Sequence, residues 1–147
     1  MKRLAGLLVL LTLCGTARAQ KAGSFGGGVA LGDPTGLTVK YWTGRDAAID
    51  AGVGFSGDAA LYADYLWHFW DIPQPAQGKA AVYVGAGPRL ETARRTAFAI
   101  RTLAGLSYWM PRHPIELFVE AGPVFRLEPD RGVDADFGLG VRFYFRP

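Results

Sequence analysis

The sequence predicts an all-β protein: an eight-stranded antiparallel up-and-down transmembrane β-barrel after a cleaved signal peptide. Three observations predict it. No segment after Leu13 sustains a helical period, and the chain instead alternates at period two between Gly, Pro and Asp clusters. The charged residues of these alternating runs share one face with many glycines, while the other face is apolar. The tryptophans gather at the C-terminal ends of even-numbered runs, or just past them.

The N-terminus reads as an export signal. Met1-Lys2-Arg3 is basic, Leu4 to Leu13 is a run of about ten mostly apolar residues, and Ala17-Arg18-Ala19 is a small-x-small cleavage pattern. The apolar run is too short for a transmembrane helix. The expected cut follows Ala19, leaving 20–147 as one barrel domain. A competing reading makes Leu11-Thr12-Leu13-Cys14 a lipoprotein signal with Cys14 acylated; the bulk of Leu13 weighs against it. Three of the 16 Lys and Arg residues lie in this segment and none of the 13 Asp and Glu, so the remainder is balanced. The basicity of the whole chain therefore gives no support to nucleic-acid binding. Cys14 is the chain's one cysteine, so the mature protein has no disulfide or thiol chemistry.

The runs follow in order. The first spans about Ser24 to Leu31, with Phe25, Val29 and Leu31 on its apolar face, and ends in the Gly32–Thr35 turn. The second, Gly36 to Trp42, presents Leu37, Val39 and Tyr41. The third, Ala47 to Ser56, presents Ile49, Ala51, Val53 and Phe55. The fourth, Ala59 to Trp70, presents Leu61, Ala63, Tyr65, Trp67 and Phe69. The fifth, Ala80 to Leu90, and the sixth, Ala97 to Tyr108, continue the pattern with Val82, Val84, Phe98 and Leu106. The seventh is Ile115 to Leu127 and the eighth Val133 to Phe145. Pro88 and Pro123 each remove a ladder hydrogen bond, and both follow glycine, so bulges are expected there.

The opposite face carries Lys40, Asp50, Asp64, Arg89, Arg101, Glu116, Glu120, Arg126, Asp134, Asp136 and Arg142. A soluble barrel turns its apolar face inward and a membrane barrel turns it outward. The polar face is rich in glycine, as a narrow interior requires to admit long side chains. Its six acids nearly balance its five bases, as enclosed charges must, because unpaired buried charge is costly. These eleven residues are expected to form an interior ion-pair network. Trp42, Tyr62, Tyr83, Phe118 and Tyr144 share the polar face and would fill much of the lumen.

Tyr41, Trp42, Trp67, Phe69, Trp70, Tyr108, Trp109, Phe143 and Phe145 cluster at one rim of an up-and-down barrel. Aromatic rings favour a membrane interface, so a girdle is expected there. With both termini periplasmic, that rim is the periplasmic one. The external connections (Gly32–Thr35, Gly57–Asp58, Glu91–Thr96 and Glu128–Gly132) are then all short, and the longest connection, Asp71–Lys79, is periplasmic.

The chain resembles the small eight-stranded outer-membrane barrels of OmpA/OmpX type, and more closely a poorly characterised short-loop branch of them. The resemblance rests on the Gly32-Asp33-Pro34-Thr35-Gly36-Leu37 turn, the Lys40-Tyr41-Trp42 strand end and the Asp64–Phe69 stretch. Leu117–Glu120 and the terminal Gly140–Phe145 extend it over nearly the whole mature chain. It implies an outer-membrane location and outer-membrane lipid as surroundings. It also implies assembly by the barrel-insertion machinery, with Phe143 and Phe145 as the insertion signal and Arg146-Pro147 as a polar tail beyond it. It implies no chemistry.

The expected function is that of a monomeric outer-membrane barrel with a filled polar interior and a structural or envelope-integrity role, with no catalytic, metal or cofactor site. A soluble periplasmic lipocalin-like barrel carrying an apolar ligand is the alternative from another class. A lipid-modifying enzyme is the third reading: His68, Ser107 and Asp64 point inward by parity, but His68 and Ser107 lie near the periplasmic rim on strands that are not neighbours. Two histidines and no mature cysteine disfavour a transition-metal site. Gly26-Gly27-Gly28 is no phosphate loop, because no Gly-Lys-Ser/Thr follows it.

Overall fold

Eight antiparallel strands close on themselves in sequence order in the computed structural model, which describes residues 21–55, 58–92 and 95–145. The signal segment with Cys14, Ser56-Gly57 and the Arg146-Pro147 tail lie outside the described residues. The strands are β1 (Phe25–Asp33), β2 (Gly36–Trp42), β3 (Ala47–Gly54), β4 (Ala59–Phe69), β5 (Lys79–Thr92), β6 (Thr96–Trp109), β7 (Ile115–Glu128) and β8 (Gly132–Phe145). Each pairs with its sequence neighbours, and β8 pairs with β1 from Phe25↔Phe145 to Asp33↔Phe137. Closure leaves no sheet edge exposed.

The period-two pattern sorts the side chains by face. In β4 every second residue is buried, and Leu61, Tyr65, Trp67 and Phe69 between them are exposed. Val29, Leu37, Val39, Val119, Leu139 and Val141 are likewise exposed, while Lys40, Asp50, Glu116 and Arg142 have no accessible surface. This is the inverse of a soluble barrel, where burial of apolar surface drives folding from within. The lipocalin-like alternative required an apolar lumen, and the lumen is polar.

The inward glycines have a specific use. Gly26, Gly52, Gly105 and Gly140 stand directly opposite Tyr144, Tyr62, Tyr83 and Phe118 on neighbouring strands. A Cβ on any of them would collide with that ring. Each aromatic therefore lies flat over a glycine, and the ring fills the lumen without forcing the strands apart.

The two strand prolines behave differently from the expected bulges. The β4–β5 ladder passes from Tyr62↔Arg89 to Tyr65↔Ala86 with register kept, omitting only the pairs around Pro88. The β6–β7 ladder does the same around Pro123, between Arg101↔Val124 and Ala104↔Ala121. A proline has no N–H to give the ladder. The preceding glycines leave room for the carbonyls of Ala63 and Thr102, which occupy the space a Cβ would take at Gly87 and Gly122. The register shift lies elsewhere, between Phe98 and Ala99.

Candidate functional site

Among the described residues, the lumen concentrates the chemistry-bearing side chains, and it is layered. At the end where β2, β4, β6 and β8 finish, Trp42, Trp109 and Tyr144 pack with Ala48 and Ala81, and Trp70 covers them. Ring centroids lie 6.0 Å apart for Trp42–Trp109, 6.1 Å for Trp42–Trp70 and 5.1 Å for Trp70–Trp109. Trp70 belongs to the long β4–β5 connection. Gln74 braces that segment by bonding the carbonyls of Trp70, Ile72 and Ala80 and accepting from the Ala80 N–H.

This corrects the expected girdle. Trp42 and Trp109 are buried and Trp70 packs on them, so three of the four tryptophans seal the lumen instead of facing outward. Tyr41, Trp67, Phe69 and Phe145 do face outward, and Tyr108 and Phe143 are half-buried. The physical reason is parity. Trp42 continues the inward face of Lys40, and Trp109 that of Ser107.

Beneath the tryptophans, Glu116 on β7 gathers four donors. Lys40 Nζ donates to its Oε1 at 2.9 Å and Ser107 Oγ at 2.6 Å; the Tyr144 hydroxyl donates to Oε2, and Arg142 Nη1 stands 3.5 Å away. Lys40 Nζ also lies 2.9 Å from His68 Nε2, while His68 Nδ1 is 3.3 Å from the Asp46 carbonyl. An ammonium only donates, so Nε2 accepts and Nδ1 carries the proton. Lys40 further lies 4.8 Å from the Trp42 ring centroid, 5.3 Å from that of Tyr83 and 5.6 Å from that of Trp109, a cation–π enclosure. Arg142 reaches across to Asp50 Oδ2 at 2.5 Å and to Thr38, which donates in turn to Asp50.

The next layer centres on Arg101. Its Nη2 donates to Glu120 at 3.0 Å, its Nε is paired with Asp64 at 3.2 Å, and its guanidinium covers the Tyr62 ring at 4.3 Å. The Arg101–Asp64 contact is an ion pair by distance but lacks hydrogen-bond alignment, leaving the Asp64 oxygens without a donor. Tyr83 donates to Glu120 at 2.7 Å. Leu66 and Leu103 pack on Tyr83.

At the opposite mouth, Arg89 binds Asp136, holds Glu91 at 2.7 Å and lies 3.7 Å from Asp33. Arg126 and Asp134 pair at 2.8 Å, but their side chains are 40% and 55% exposed. They belong to the open rim and not to the sealed interior that the sequence suggested, because β7 and β8 run beyond the closed part of the wall at that end. Nine of the eleven expected charges are therefore enclosed. Thr38, Ser107, Tyr83 and Tyr144 complete the network and carry no formal charge to draw attention. Glu91 was legible, since it follows Arg89 by two on the same face.

His68 and Ser107 are 3% and 0% exposed. Lys40 and Glu116 join them into one hydrogen-bonded chain, so the layout positions these groups for mutual satisfaction and gives neither a path to an outside substrate. Among the described residues, no group of three or more His, Cys, Asp or Glu is placed to hold a metal ion.

No family model and no curated protein sequence matches the chain. Among solved structures, the N-terminal β-barrel domain of Pseudomonas aeruginosa OprF matches with a TM-score of 0.64 at 20% identity, covering 86% of this chain and 100% of that one. The chain thus has the fold of that barrel domain, closed by eight antiparallel strands in sequence order.

Proposed function

We propose that this protein is a small outer-membrane barrel whose filled lumen makes it a rigid structural element of the envelope. It is exported behind a signal segment, assembled by the barrel-insertion machinery and monomeric in outer-membrane lipid. The observation that carries this reading is the enclosed column from the tryptophan layer through Glu116 to Arg101, wrapped in an apolar wall. Buried charges of that number are tolerable only when paired and hydrogen-bonded, and an apolar outer wall is tolerable only in lipid. The small space between Tyr62, Arg101, Glu120 and Asp136 measures about 10 Å³, room for one water at most, which supports a plugged lumen over a pore. The sealed positions of His68 and Ser107 speak against lipid chemistry. Fractionation of producing cells tests this. The protein should pellet with outer membranes and migrate faster on a denaturing gel when unboiled. Recovery as a soluble, non-shifting protein would end the proposal.

A further inference from the structure

The wall is uneven at the mouth opposite the tryptophans. β7 and β8 are 14 residues long, whereas β1 has nine and β2 seven. β1 accompanies β8 only as far as Asp33↔Phe137. Beyond that point residues 132–136 of β8 continue the ladder with β7, from Gly122↔Asp136 to Arg126↔Gly132, and have no strand on their other side. Closure hides the edges of the shared wall, but above it one edge returns over these residues, a length of roughly 16 Å at about 3.3 Å per residue. The β1–β2 turn, which would have to cover this edge, is tied elsewhere. Thr35 Oγ1 donates to the Gly32 carbonyl and accepts from the Gly32 N–H. The Thr35 carbonyl accepts from the Phe55 N–H, and Pro34 lies over Gly54 on β3. Among the described residues, no turn or loop backbone bonds to residues 132–136. The backbone N–H and C=O groups of such an edge are a template for a further strand.

The side chains of the edge select the strand that fits. Val133, 66% exposed, and Ala135 lie on the outer side; Asp134 and Asp136 alternate with them on the lumen side. Asp136 is held by Arg89 and takes no further part. Asp134 is half-exposed and shares only a rim pair with Arg126, of the kind that contributes little to stability. Asp33, with its side chain 59% exposed, and Asp58 line the same mouth. A second copy of the chain is the wrong partner. Two such edges pairing antiparallel about their midpoint would set Asp134 opposite Asp134, and like charges directly opposite destabilise a ladder. We propose that residues 132–136 bind an extended cationic peptide segment by strand addition, with Lys or Arg alternating with apolar residues. Main-chain hydrogen bonds hold the added strand, and its alternate side chains give the specificity. The basic side chains turn toward Asp134, Asp33 and Asp58, and the apolar ones lie beside Val133 and Ala135.

The probe is a blocked peptide alternating Lys and Val, titrated into the full mature protein in lipid nanodiscs at low salt. The expected result is saturable binding of one peptide per barrel, with new hydrogen-exchange protection confined to amides of residues 132–136. Two N-methylated peptides separate strand addition from plain charge attraction, one methylated at every odd residue and one at every even residue. The peptide methylated on its bonding edge should lose about tenfold or more in affinity, as losing two or three ladder hydrogen bonds requires, and the other should not. Asp134→Lys, a rim substitution whose folding is checked by the unboiled gel shift, should weaken binding of the Lys-Val peptide by a similar factor. Asp46→Asn, at the tryptophan end, should leave it unchanged. Absence of saturable binding, equal affinity of both methylated peptides and the parent, equal affinity for a Glu-Val peptide, or self-association of the barrel through this edge would each overturn the proposal. The inference needs only the folded barrel, so its failure would leave the structural reading above standing.

Discussion

Lys40 Nζ and Glu116 Oε1 lie 2.9 Å apart with no accessible surface on either side chain, across strands that are not neighbours. The pair therefore crosses the lumen and ties opposite parts of the wall together. Removing one partner strands the other charge in the interior. Glu116→Ala should cost about 3–5 kcal/mol of folding stability, the range for breaking a buried pair. Urea unfolding in lipid vesicles measures it. Lys40→Met/Glu116→Gln should recover most of the loss, because both charges leave together. A loss under about 1 kcal/mol in the single variant would show that water reaches this layer.

The tryptophans divide by environment. Trp67 is 48% exposed on the outer wall, while Trp42 and Trp109 are enclosed. In variants keeping one tryptophan each, brominated lipid should quench Trp67 fluorescence strongly and leave Trp42 and Trp109 nearly untouched. Strong quenching of Trp42 would mean that the residue turns outward into a girdle after all.

Phe145 stacks on Phe25 across the seam that closes the barrel, with ring centroids 6.2 Å apart. It also ends the alternating segment that resembles an insertion signal. The two roles separate by mutation. If Phe145 is read during assembly, Phe145→Ala should slow insertion in cells while Phe25→Ala does not. Equal impairment by both would reduce Phe145 to a packing residue of the seam. Deletion of Arg146 and Pro147 should leave assembly intact.

Gly87 accommodates the Ala63 carbonyl beside Pro88, and an added methyl would overlap that oxygen. Gly87→Ala should destabilise the barrel by about 1–3 kcal/mol, the usual cost of overpacking. Gly44, where an added methyl would meet nothing within 4 Å, provides the control: Gly44→Ala should be nearly neutral in the same unfolding assay.

Strand number and the inward or outward sense of most residues were legible in the sequence by itself. Strand number and the division into two faces follow from a local rule, the two-residue repeat of a strand; which face is inward was read from the glycines and balanced charges of the polar face. β2 was read to the residue, and the others to within one or two at most boundaries. The same rule puts Lys40, Asp50, Glu116 and Arg142 on one face, and the structure encloses that face.

Tertiary structure decided the rest. Trp42 and Trp109 follow the inward parity of their strands, but whether Trp70 covers them depends on how the β4–β5 connection folds back, and that was decided only there. The sequence could name Lys40 and Glu116 as charges of one interior but not as partners, because they are 76 residues apart. Which inward residues meet across a closed barrel is set by the stagger of all eight strands together, a global quantity that no local pattern contains.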